Sequence, residues 1–269
     1  MYVPEKFEES RIDVMHRLIR ERPLATLITL SSSGLNANHI PLQVSETPAP
    51  FGTLRGHVAR ANPIVSDVKS EVEALAVFHG ADAYISPSWY ATKKETGKVV
   101  PTWNYTVVHA YGVLRMIDDP AWLRAQIESL TNQNEASFPE PWAVSDAPPE
   151  YIDRLIGAIV GVEMVSTRLI GKWKVSQNQP AGNRAGVAAG LLAVGASDAE
   201  AMAALVDASS ELARLPHASA QRRAHAIHPI AHGPGHPVQG GDAGSVLADG
   251  LWLGADRDGY TAAASHDHR

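Results

Sequence analysis

Residues 1–195 of this chain predict an α+β fold, an antiparallel β-barrel with helices at its margins. Three observations carry that expectation: short segments rich in β-branched residues follow one another closely, turn signals of hairpin type separate them, and the helical periods fall at the edges of the series. In chain order, a helix is expected over about 5–20, then a strand in PLATLITL at 23–30 whose SSSG turn leads into NANHIPLQV at 36–44. GTLRGHV at 52–58 and EALAVFHG at 73–80 read as strands, joined by the short helical connection ARANPIVSDV. AYIS at 83–86 and the run at 100–115 add two more. Asp119 as cap and Pro120 at the first helical position open a helix over 118–136. A weaker start signal opens another over 147–159, and alternation returns over 160–178. No internal repeat is apparent.

Composition changes near residue 190. All seven lysines lie at or before Lys174, whereas residues 191–269 hold nineteen alanines and seven of the twelve histidines. The expected division is therefore 1–195 as the folded domain and 196–269 as an Ala/Gly/His-rich extension, with one helix at about 197–215 and disorder beyond Pro216. The scattered tail histidines lack fixed spacing on a helix face, so no metal site is expected. No cysteine is present, which excludes disulfides and thiolate chemistry. The net charge of −6 restricts any nucleic-acid contact to a local basic patch. The N-terminus lacks a signal-type apolar segment and no run approaches the ~20 apolar residues of a spanning helix. A cytoplasmic protein with no membrane partner is the resulting expectation.

Candidate chemistry begins with VPTWNYTVVHAYGVLR at 100–115. Period-two geometry sets Trp103, Tyr105, Val107, His109, Tyr111 and Val113 on one face, and Thr102, Asn104, Thr106, Val108, Ala110 and Gly112 on the other. An aromatic face with polar tips packs a flat ligand or a partner subunit. Arg55, His57 and Arg60 precede a short helix beside Asn62, an arrangement suited to a phosphate. Asn38 and His39 interrupt an apolar strand. Trp89, Lys98, Trp103, Asn104 and Tyr105 fall within one aromatic and lysine-rich stretch, and Lys174, Gln177 and Asn178 repeat that theme.

These stretches resemble the PaiB family of FMN-binding proteins, often labelled negative transcriptional regulators. The likeness runs through MYVP at 1–4, GTLRGHVARANP at 52–63, AYISPSWY at 83–90, GKVVPTWNYTVVHAYG at 97–112, EPWAVSDAPPEYI at 140–152, IVGVEM at 159–164 and GKWKVSQN at 171–178, and continues into NRAGVAAGL at 183–191. It implies a split β-barrel of pyridoxamine-oxidase type, a homodimer, and FMN at the subunit interface. Carried over, Arg55, His57, Arg60 and Asn62 would lie nearest the phosphate and ribityl chain, with Asn38 and His39 lining the same cleft. Trp89, Trp103, Asn104 and Tyr105 would surround the ring, Lys98 its polar edge, and Lys174, Gln177 and Asn178 would reach the cofactor from either subunit. Ile64 and Val65 stand where some relatives carry an aromatic. The likeness implies a repressor with DNA as a possible partner. The alternatives are a flavin-dependent oxidoreductase and a non-catalytic flavin- or haem-handling protein; no catalytic residue is assigned beyond the candidate histidines His39, His57 and His109.

Overall fold

The structure, a computed structural model, describes residues 1–67 and 72–212. The strands are β1 (Glu8–Glu9), β2 (Leu24–Ser31), β3 (Gly34–Pro41), β4 (Gln43–Ser45), β5 (Thr53–Ala59), β6 (Glu73–Ile85), β7 (Thr102–Ile117) and β8 (Ile159–Lys174). The helices are α1 (Ile12–Glu21), α2 (Ile64–Asp67), α3 (Thr92–Thr96), α4 (Pro120–Glu135), α5 (Pro149–Ile156), α6 (Ala181–Val194) and α7 (Ser197–Leu212). Every strand pairing is antiparallel, in the order β3-β2-β6-β7-β8-β5-β4, with β1 added to β8.

The two edge strands of that order, β3 and β4, are consecutive in the chain and separated by Leu42 alone. A sheet whose opposite edges are joined by one residue must curl on itself, because one residue spans less than ~4 Å. Among the described residues no ladder closes the gap, so the architecture is α+β with an antiparallel split barrel, as the sequence predicts.

Alternation along the strands decides what fills the barrel. Leu27, Phe78, Val108 and Val162 point inward and are fully buried, and α1 closes the interior with Met15, Leu18 and Ile19 at helical spacing. Each such side chain contributes about 1.5–3 kcal/mol of burial. A second cluster joins Ile85, Tyr90 and Val175 to α6 and α7, and a third packs Leu123 of α4 against Ile152 and Ile156 of α5.

Several boundaries differ from the sequence reading. The segment expected as one helix over 5–20 divides into a 3₁₀ turn at Glu5–Phe7, β1 and then α1, because Glu8 and Glu9 pair with Lys172 and Gly171 of β8. The strands expected at 73–80 and 83–86 are one strand, β6, interrupted by a bulge between His79 and Asp82. Helices α3 and α6 carry no expected counterpart. Composition changes near residue 190, but packing does not: Met202, Ala203 and Val206 of α7 are buried with Val187 and Leu191 of α6. The expected helix end at 213–215 and the expected disorder beyond Pro216 lie outside the described residues.

Candidate functional site

The long strand β7 organises the site. Its inward residues Asn104, Thr106, Val108, Ala110, Gly112 and Leu114 are buried, whereas in the outward row Trp103 and Val113 are exposed, Tyr105, His109 and Tyr111 are partly open, and Val107 is buried. Register places Tyr84, Asp82, His79, Val77 and Leu75 of β6 on one side of that outward row, and Lys174, Lys172, Ile170 and Arg168 of β8 on the other. The result is an apolar and aromatic sheet face bordered by cations.

Local contacts fix the orientation of this face. Trp103 Nε1 donates to Asp82 Oδ1 at 2.8 Å, and its ring meets Tyr84 edge-on at 6.0 Å. Arg168 lies 4.0 Å over the Tyr111 ring and Lys172 5.2 Å over the Tyr105 ring. Lys174 Nζ donates to Thr102 Oγ1 at 2.7 Å. His109 packs beside Tyr111, and its Nδ1 is buried without a hydrogen-bond partner among the described residues. Burial holds the His109 pKa below the ordinary histidine value, assisted by the N-terminal charge and by His79.

A second polar locus lies where β3 meets the start of α2. Asn62 Nδ2 donates to Asn38 Oδ1 at 2.9 Å and Asn38 Nδ2 to Asn36 Oδ1 at 2.8 Å, while Asn62 Oδ1 accepts from the Ile64 amide. This amide chain borders a cleft of about 290 Å³ lined by Thr29, Ser31, Ser33, Asn36, Pro63, Ile64 and Asp67. Asn38 and His39, expected to line one cleft, leave opposite faces of β3: Asn38 is opposite buried Leu27, and His39 Nδ1 lies 3.2 Å from Thr26 Oγ1 outside.

Most of the remaining candidates have internal partners. Arg55 donates to Glu163 Oε2 at 3.0 Å, and Arg115 approaches the other oxygen of the same carboxylate. His57 Nδ1 lies 2.8 Å from Gln126 Oε1 of α4. Arg60, expected nearest a phosphate, instead forks onto Asp118 at 2.8 and 2.6 Å and donates to the carbonyls of Gly157 and Ile159. That bond raises the Arg60 pKa and lowers that of Asp118. Trp89 packs on α6, where Gly186 and Gly190 leave room that a Cβ would fill. Asn104 turns inward, donates to Ser176 Oγ at 2.9 Å and leaves its own Oδ1 unpartnered. Gln177 Nε2 folds back onto the carbonyls of Trp173 and Lys6; Lys98 and Asn178 are exposed. Within one chain the candidates thus divide among the outward face, the asparagine cleft and the surface beneath α4. Sequence reading passed over Arg168, whose signal was alternation along β8 in register with the β7 aromatics.

The outward face suits a flat conjugated ring, since aromatic surfaces and flanking cations accept one. The amide and hydroxyl groups of the cleft suit a polar, uncharged chain. Among the described residues no helix is long and apolar enough to cross a membrane, and no cluster of metal-ligating side chains occurs.

The chain matches the family model FMN_bind_2, described as "Putative FMN-binding domain", over residues 1–168. It is 34% identical over 247 residues to the uncharacterized protein AN0679 of Emericella nidulans, covering 79% of this chain and 98% of that relative. It is 36% identical over 243 residues to the uncharacterized protein AFUA_5G13800 of Aspergillus fumigatus, covering 72% and 92%. With the protease synthase and sporulation protein PAI 2 of Bacillus subtilis, identity is 27% over 179 residues, covering 66% and 83%. Among solved structures, the conserved hypothetical protein Rv2991 from Mycobacterium tuberculosis aligns with a TM-score of 0.48 at 13% identity, covering 67% of this chain and 94% of that one. The motifs, the strand order and the extent of the family match lead to one assignment: the chain belongs to the FMN_bind_2 family of FMN-binding proteins, with Bacillus PAI 2 among its relatives.

Proposed function

We propose that the chain forms a homodimer that binds FMN between its subunits and acts as a negative transcriptional regulator. The observation that carries the reading is the outward face of β7, where Trp103 is half exposed, Tyr105 and Tyr111 are partly open, and Lys172 and Arg168 lie beside their rings. Exposed apolar surface of that kind marks a contact surface. A second copy facing it would supply the opposite wall of a cleft. Trp103 and Tyr105 would offer stacking surface, Lys172 and Lys174 positive charge, and Asn38 and Asn62 amide donors. Arg55, His57 and Arg60 would support the fold around that cleft through the partners they already hold. FMN, when bound, supplies one- and two-electron chemistry at its ring.

The regulatory part rests on the family likeness and on a relative named for sporulation. A net charge of −6 directs any DNA contact to a local basic surface of the dimer. The absorbance spectrum and sedimentation of protein purified without added cofactor test the first part; a colourless monomer would overturn it. A gel shift with the protein's own upstream DNA at stated salt tests the second, and retardation no stronger than that of unrelated DNA would remove it. His109 favours a second reading, a flavin-dependent oxidoreductase, because a histidine held neutral on the ring-binding face is placed to accept a proton. Stopped-flow reduction by NADH and NADPH tests it, and flavin that stays oxidised with both would end it.

A further inference from the structure

A cavity lies on the other side of β7, away from the aromatic face. The bulge in β6 sets two residues, Gly80 and Ala81, opposite Thr106 of β7. The extra residue widens the strand pair locally, and a Cβ at Gly80 would collide with the Thr106 hydroxyl. Here α1 and α7 do not close on the sheet. Ala201, Ala204, Leu205 and Ala208 recur on one face of α7, and their small side chains leave a groove of about 470 Å³ against Val14, Leu18 and Trp173.

Two groups in this groove await a partner. Thr106 is only 3% exposed, lines the groove, and its hydroxyl takes part in no hydrogen bond among the described residues. At the rim, Arg17 has no ion pair or hydrogen bond among the described residues, whereas Arg22 beside it is held by Asp198 at 2.6 Å. Glu21 also reaches the rim, so the three charged lining residues leave one net positive charge, two arginines against one glutamate. The size falls in the range of small-molecule pockets, and the lining combines an apolar body with few polar groups.

We propose that this groove binds a small organic carboxylate with a compact apolar body, the carboxylate meeting Arg17 and the body lying against Trp173 and α7. The Thr106 hydroxyl is left to donate to a ligand that carries a second acceptor. The site is separate from the FMN reading and stands or falls apart from it.

Isothermal titration calorimetry of the full chain with 1-naphthoate and with decanoate tests the proposal. Saturable binding at one site per chain is expected for at least one of them. Arg17→Gln weakens it tenfold or more, as loss of a charge-assisted pair requires. Binding of the neutral 1-naphthylmethanol is weaker and unaffected by Arg17→Gln. Ala204→Trp, at an exposed groove position that leaves the core intact, abolishes binding while circular dichroism stays that of the parent. Absence of saturable binding by either acid, or binding that survives both substitutions unchanged, overturns the proposal.

Discussion

The two faces of β7 carry alternate residues of one sixteen-residue strand, yet they obey different rules. Inward, Val108 and Ala110 are fully buried and Gly112 lets the strand approach the Val165 carbonyl, so shape decides each position. Outward, the same strand places its large rings on a surface left partly open, where Trp103 is 50% exposed although Val107 on the same side is buried. Stability of the folded chain resides in the first face; under the proposed function the second receives the cofactor and a second subunit. That division is testable because substitutions one or three residues apart should have effects of different kinds.

The largest effect is expected inside. Val108→Asp would place a carboxylate among Phe78, Val162 and Leu54 and cost about 4 kcal/mol or more, against a total stability of ~5–15 kcal/mol. Urea denaturation should show a collapsed midpoint or no folded baseline. The paired outward change Tyr111→Glu with Val113→Lys should leave far-ultraviolet circular dichroism that of the parent, while sedimentation moves to the mass of one chain and flavin absorbance is lost. If this variant unfolded as Val108→Asp does, the distinction between the faces would fail.

Away from the sheet, Asp119→Ala removes the side chain that accepts from the Ala121 and Trp122 amides at the start of α4. A loss of about 1 kcal/mol is expected in chemical denaturation, with flavin content unchanged. The smallest effect is a change of slope. His109 has a folded pKa below its unfolded value, so the unfolded chain takes up the proton first and stability is present above the unfolded value of ~6.5 and declines as pH falls below it. His109→Phe should flatten that acid-side decline in thermal melts between pH 7 and pH 5. An unchanged slope would place the titrating group elsewhere.

What the sequence disclosed followed from periodicity. Alternation in residues 100–115 separated the two faces of β7 correctly, and Asp119 with Pro120 marked the start of α4, because both signals are local. The bulge in β6 was hidden, since Gly80 and Ala81 differ from any turn only through their pairing with a distant strand. The split of the first helix was hidden for the same reason: Glu8 and Glu9 pair with β8 more than 160 residues away. At the site, residue type pointed to Trp103 and Tyr105, whose positions follow from strand parity. It could not foresee that Arg60 would be occupied by Asp118, because that partner is 58 residues on and is brought near only by folding.

The single leucine between β3 and β4 has a consequence for how the family can vary. Because side chains alternate along a strand, inserting one amino acid at Leu42 would exchange the lining and the exterior of whichever edge followed it, burying Gln43 and Ser45 in place of Val44. Length variation at this seam is therefore tolerable only in steps of two. The girth of the interior is set there by counting, independently of how well its contents pack.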